Sequence, residues 1–425
     1  MYLALAKQQF AAWRIRTWRT AMRRSGTVIL LLLATISMGF AFAWREYKRG
    51  DFARWKAEIK QAPVPQAASP QPGGQDAITL QRAAIGGGSM PEFLSATVLP
   101  GRGMNVLQIT AFVPSRGEVR LLAAPPLAEA ASLMTGTGAD AEGAVSMAMG
   151  AAIEAPWAGK IFRMPVSESN SFKKVDTLRV QAVPASAGGL LLRQAATSFK
   201  TNAMPDGGEV EAVYDAGSFG ERWPSQMEIS TSLQLSSRAM EMKIIARNTG
   251  DKPQPVGIGW KPRFAVPNGA RSSLRLRLPS STRTEVRDRQ TGQPSGRLLP
   301  VARTEYDFTG RTGAALGPWS LDDTYVHLQQ APLDNGPVAE LLDPANRYGL
   351  RITMLSTAIR AVHVTAPANS GFVTIDPRFN YDDPLGDEWS HSEDTGMVVL
   401  QPGAVAQWRI RLEIFALAPA RGDRM

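Results

Sequence analysis

Short apolar runs that alternate with polar or charged residues recur along most of this chain, each closed by a cluster of Gly, Pro, Asn or Asp. The plainest are Leu274-Arg275-Leu276-Arg277-Leu278 and Trp408-Arg409-Ile410-Arg411-Leu412. A period of two puts successive side chains on opposite faces of a strand, so such a run buries one face and leaves the other polar. Runs of this kind fall at 104–113, 177–183, 226–235, 239–247, 273–278, 348–355, 361–364, 396–400 and 406–415. The spacing predicts an all-β fold, a large antiparallel β-sandwich. No second long linker interrupts residues 76–420, which read as one domain, and the alanine-rich stretch 123–149 reads as a long loop.

The first sixty residues have a different character. Residues 27–44, TVILLLLATISMGFAFAW, are uncharged and apolar over about the length of a bilayer-spanning helix. A basic segment, 1–26, precedes them, and a juxtamembrane stretch leading into a Pro/Gln-rich spacer, 45–75, follows. The pattern predicts a signal anchor with the short N-terminus in the cytoplasm. The large domain then lies on the periplasmic or extracytoplasmic side of the inner membrane. Six basic residues flank the run on each side, so the positive-inside rule does not set this orientation by counting. The small-x-small pattern Ala41-Phe42-Ala43 leaves a cleaved signal peptide as the alternative, which exports the domain equally.

Charge follows the same division. The net charge is +9 over 425 residues, yet residues 1–60 hold 12 Lys/Arg against 3 Asp/Glu, leaving 35 of each sign in the rest. A neutral body argues against nucleic acid as a partner. The absence of cysteine excludes disulfides, thiolate metal sites and cysteine nucleophiles, and three histidines are too few for a histidine-rich metal site. His327 and His363 fall in strand-like runs, where packing is the ordinary role.

Within the body, Phe372-Val373-Thr374-Ile375 reads as a strand that delivers Asp376, just before Pro377, to its end. Three other stretches accompany it: Ala155-Pro156-Trp157-Ala158-Gly159-Lys160-Ile161, Gly257-Ile258-Gly259-Trp260-Lys261-Pro262-Arg263-Phe264, and Thr304-Glu305-Tyr306-Asp307-Phe308 followed by Leu321-Asp322-Asp323-Thr324-Tyr325. In this order they resemble the aldose 1-epimerase (galactose mutarotase) family over about residues 90–415. The resemblance implies a galactose mutarotase-like supersandwich with a sugar cleft, needing no cofactor or metal.

It also implies roles. Lys160 stands where the family has an arginine on a sugar hydroxyl, Lys261 where it has the histidine acid, and Asp376 where it has the glutamate base; Asp322 keeps the family's residue. A second family histidine, in a His-Gly motif, would fall near Gly188-Gly189-Leu190, which has none. Catalytic roles thus fall to Asp376 and Lys261, and sugar binding to Lys160, Asp322, Trp157 and Trp260, the tryptophans either forming a platform or packing in the core. Mutarotation takes a proton from the anomeric hydroxyl while another group protonates the ring oxygen, so two groups must face each other across the sugar. Lysine gives up a proton readily only where its ammonium is destabilised, and a carboxylate neighbour does the opposite. The expectation is a membrane-anchored aldose 1-epimerase. The alternatives are a sugar-binding module of an envelope polysaccharide system that has lost catalysis, and a structural subunit of a membrane complex.

Overall fold

Strand Phe372–Arg378 lies near the middle of a twelve-stranded sheet. The computed structural model describes residues 36–41, 43–44, 66–68, 70–82, 89–165, 180–266 and 271–418. Across the large sheet the strands run Gln66–Ala68, Ala77–Gln81, Glu92–Leu99, Asn105–Val113, Ala151–Glu154, Gly259–Ala265, Phe372–Arg378, Ala361–Ala366, Leu321–Val326, Thr282–Asp288 and Gln293–Pro300, with Gly117–Arg120 paired to Asn105–Val113. A nine-stranded sheet is ordered Ala314–Ala315, Arg275–Arg277, Val338–Asp343, Tyr348–Met354, Val405–Ala416, Ala239–Asn248, Met227–Leu235, Gly207–Gly217 and Ser198–Met204.

Period-two patterning makes these two sheets a sandwich. On Val405–Ala416 the residues Ala406, Trp408, Ile410, Leu412 and Ile414 are buried while their neighbours are more exposed, and Met227–Leu235 shows the same alternation. The inward faces meet in one core, where Ile109, Trp260, Val364 and Ile375 of the large sheet share a cluster with Leu233, Ile244 and Trp408 of the other. Each such side chain contributes about 1.5–3 kcal/mol by leaving water. Trp408 Nε1 donates to the Pro377 carbonyl at 3.1 Å, bonding the layers directly beside Asp376.

Several details depart from the sequence reading. The strand runs on through Asp376 and Pro377 to Arg378, so Asp376 is not at its end. The 273–278 run yields only the short strand Arg275–Arg277. The stretch 123–149 is not a plain loop: it contains helix Leu127–Leu133, and Ala130 with Met134 packs on Ala77, Leu99 and Leu107. A four-residue apolar spacing suffices to seat one helical face, and Arg102 Nε and Nη2 donate to the Met134 carbonyl at its C-terminus.

The chain divides into two compact units, residues 1–60 and 61–425. Within the stretch read as a spacer, Gln66–Ala68 already pairs with Ala77–Gln81, and the Gln75 side chain exchanges two hydrogen bonds with the backbone of Ala196. Most of the apolar run 27–44 lies outside the described residues. Residues 36–41 and 43–44 are helical, with Ile36, Met38, Phe40 and Trp44 exposed. Among the described residues no helix is long and apolar enough to cross a membrane.

Candidate functional site

Strand register assembles the site. His363 is opposite Asp376, Thr324 opposite His363, Asp322 opposite Thr365, and Gly259 opposite both Arg378 and Glu154. Residues opposed across antiparallel strands share a face. Glu154, Lys261, Asp376, Arg378, His363, Thr324 and Asp322 therefore rise from the face away from the core, while Ile153, Trp260, Ile375 and Val364 fill the core from the other.

Alternation settles Trp260, and burial settles Trp157. Trp260, one residue from Lys261, points into the core, and Trp157 stacks on Trp223 with ring centroids 5.3 Å apart. Both are fully buried, so neither presents a platform to a sugar and both are packing residues.

Lys160 reaches the site from the loop that Pro156 to Gly159 form, and residues 380–383 pin this loop. Asn380 accepts from the Ala158 amide and donates to its carbonyl, and Asp382 Oδ1 accepts from the Lys160 amide at 2.9 Å. Gly159, at φ +70°, lies so close to Arg378 that a Cβ there would sit 1.8 Å from Nη1, which leaves room only for glycine. The Lys160 ammonium lies 3.5 Å from Asp322 Oδ2, both side chains being partly exposed. Above it passes the turn between strands Thr282–Asp288 and Gln293–Pro300, where a Cβ on Gly292 would meet Lys160 Nζ at 2.3 Å. Arg289 of this turn donates to Asp323 at 3.2 Å.

Deeper in, a buried ion pair anchors the cluster. Arg378 Nη2 donates to Asp382 Oδ2 at 2.7 Å and to Thr324 Oγ1 at 2.7 Å, and Thr324 donates to the same carboxylate oxygen at 2.7 Å. Burial raises the Asp382 carboxyl's affinity for a proton, but the Arg378 and His363 charges outweigh it and hold Asp382 well below the usual carboxylate range.

Asp376 is in the opposite condition. It has no exposed surface, neither oxygen has a hydrogen-bond partner, and the nearest guanidinium nitrogen of Arg378 is 3.9 Å away. Burial, reinforced by the nearby Glu154 carboxyl, pushes Asp376 well above the usual range despite the charges of Arg378 and Lys261. A carboxyl kept protonated by its surroundings is a stronger base once ionised, a common tuning at sites of proton transfer.

His363 was assigned ordinary packing by its sequence context, and the structure corrects this. Its Nδ1 lies 2.8 Å from Thr324 Oγ1, and its Nε2 lies 3.0 Å from both Asp322 Oδ1 and Thr365 Oγ1. Burial opposes the charge on Asp322, but the His363 hydrogen bond and the charges of His363, Lys160 and Lys261 hold that carboxyl well below its usual range. Glu154, Thr324, His363, Arg378 and Asp382 are the members of the site that the motifs did not single out. The available signal was strand phase: Thr324 and Arg378 stand two residues from Asp322 and Asp376, on the same face.

Among the described residues no group of His, Cys, Asp and Glu has the arrangement of a metal site. Three of the four polar positions implied by motif, Lys261, Asp322 and Asp376, lie within residues 194–413, which the family model described as aldose 1-epimerase matches. That is just over half the chain. The chain belongs to the aldose 1-epimerase family. No curated protein matches it. Among solved structures, it is similar to a galactose mutarotase-like protein from Clostridium acetobutylicum, at 15% identity over 83% of this chain and 99% of that one, with a TM-score of 0.63. It is also similar to galactose 1-epimerase from Lactobacillus acidophilus, at 12% identity over 83% of this chain and 98% of that one, with a TM-score of 0.55. A galactose mutarotase-like protein from Lactobacillus casei is similar at 13% identity over 79% and 99%, with a TM-score of 0.54. Identities this low establish the epimerase fold and leave activity to the site. Within the epimerase family's pattern this chain carries lysine, lysine and aspartate at positions 160, 261 and 376.

Proposed function

We propose that this protein is a membrane-anchored, aldose 1-epimerase-like isomerase that interconverts the α and β anomers of an aldose by acid–base ring opening. The observation that supports it is convergence: Lys160, Lys261, Asp322 and Asp376 span more than two hundred residues of sequence and meet at one polar face. Lys160 and Asp322, at the solvent-exposed end, are hydrogen-bond partners for sugar hydroxyls. Asp376 is the base for the anomeric hydroxyl, its raised proton affinity suiting it to accept that proton. Lys261, whose charge acts on both Asp322 and Asp376, faces the ring oxygen as proton donor.

A second reading is favoured by one observation, the complete burial of Asp376. It is a sugar-binding module that kept the polar face and lost the proton relay, serving an envelope polysaccharide. In either case the run 27–44 tethers the protein to the inner membrane with the large domain outside the cytoplasm, the partners being a sugar or polysaccharide and the membrane itself. Polarimetry on freshly dissolved α-glucose and α-galactose separates the two. Acceleration by the purified protein supports the isomerase, and sugar binding without acceleration supports the module.

A further inference from the structure

The hydrogen atoms around Thr324 can be counted, because its hydroxyl has one proton and two lone pairs. Three groups lie within hydrogen-bond distance of Oγ1. Arg378 Nη2 has only hydrogens to offer, so it uses one lone pair. Asp382 Oδ2, ion-paired with Arg378 at 2.7 Å, is a carboxylate oxygen that can only accept, so it takes the hydroxyl proton. The remaining partner, His363 Nδ1 at 2.8 Å, must therefore donate to the second lone pair. On the other side of the ring, Nε2 lies 3.0 Å from both Asp322 Oδ1 and Thr365 Oγ1, and the single Thr365 hydroxyl proton is directed to Asp322 Oδ1 at 3.2 Å, which leaves the Thr365 oxygen as an acceptor. A bare Nε2 would set its lone pair against a carboxylate, so Nε2 also carries hydrogen.

We propose that His363 holds a proton on each ring nitrogen and, as an imidazolium bridging Thr324 to Asp322, is the positioning residue that fixes Asp322 for the incoming sugar. A continuous path of charge-assisted contacts then runs from Arg378 through Asp382 and Thr324 to His363 and Asp322, ending at Lys160. With Oδ1 held by His363 and Thr365, Asp322 Oδ2 is the oxygen turned to Lys160 and free to be shared with a substrate hydroxyl. Strand Gly259–Ala265, on the other side of Phe372–Arg378, carries lysine at 261 where the family pattern has its acid histidine, and the site's imidazole stands instead on Ala361–Ala366, directly across from Asp376. Its side chain is about one-tenth exposed, so it acts through Asp322. The sugar part of this inference rests on the function proposed above.

The test uses the full-length protein labelled with 15N-histidine, whose only histidines are His327, His363 and His391. Two protonated ring nitrogens on His363 at neutral pH, with that signature altered by Asp322→Asn, are expected; one bare nitrogen overturns the proposal. Titration calorimetry with glucose and galactose reads the positioning role. His363→Leu should weaken sugar binding about tenfold, the loss of one charge-assisted hydrogen bond that orients Asp322. His363→Gln, whose amide still donates to Asp322, should recover most of that loss. Wild-type affinity in a folded His363→Leu variant, or in His363→Gln no recovery at all, overturns the positioning role. If the wild-type protein binds neither sugar, the functional proposal and with it the positioning role fail, while the nitrogen signature still decides the protonation of His363.

Discussion

His363 and Asp376 stand directly opposite each other on adjacent antiparallel strands, yet no hydrogen bond joins them. Both imidazole nitrogens are engaged by Thr324, Asp322 and Thr365. Asp376 is thereby left buried beside Glu154, and burial raises its affinity for a proton. The face thus holds two kinds of carboxylate side by side. Cations hold Asp322 and Asp382 below the usual carboxylate range, and burial shifts Asp376 the other way.

Asp382→Asn should be strongly destabilising, because it leaves Arg378, about 1% exposed, without its closest counter-charge. Breaking a buried pair from one side costs about 3–5 kcal/mol. Because the folded protein depresses the Asp382 carboxyl, its contribution is present above the unfolded value of about 3.9 and is lost as pH falls below it. Urea unfolding should show a large gap between wild type and variant at pH 7 that narrows steadily below about pH 4. A gap of constant size would remove the ion pair as its cause.

Gly159→Ala should destabilise the loop that presents Lys160. The residue sits at φ +70°, and the added methyl would fall on the Arg378 guanidinium, itself locked by Asp382 and Thr324. Backbone strain of this kind costs about 1–3 kcal/mol, and displacement of Arg378 adds to it. The measurement is a thermal melt alongside sugar titration, and both stability and affinity should fall.

The fold was largely legible because strand alternation is a local signal: Met227–Leu235 and Val405–Ala416 differ by at most one residue at either end from the runs that period two picks out. The helix at Leu127–Leu133 was hidden because small alanines bury a face without a strong apolar stripe. At the site, motif order marked Lys261, Asp322 and Asp376, which share a sheet face that Lys160 approaches from a loop, while Trp260, beside Lys261 in sequence, points the other way as strand phase demands. What the sequence could not show was charge balance. His363 belongs to the site only through cross-strand register with Thr324 and Asp376, which is a property of pairing and not of any one segment.

Fractionation tests the proposed anchor. The full-length protein should remain with membranes after a high-salt wash, and a form beginning at residue 61, where the second compact unit starts, should be soluble and folded. Appearance of the protein as a shorter chain beginning near Trp44 would indicate a cleaved signal peptide. Salt-released full-length protein would mean that only the basic segment holds it to the surface.

The most direct test of the account is the pH dependence of mutarotation, followed by polarimetry for the wild-type protein and for Asp376→Asn. A base must be ionised to act, and Asp376 keeps its proton above the ordinary carboxylate range. Acceleration should therefore be weak at acid pH and climb as pH rises past the point where a normal carboxyl has already ionised. Asp376→Asn, which keeps the size but cannot take up the proton, should abolish acceleration at every pH while leaving sugar affinity nearly intact. Acceleration that survives Asp376→Asn, or a wild-type protein that binds sugar and accelerates nothing at any pH, would contradict the assignment of Asp376 as the base.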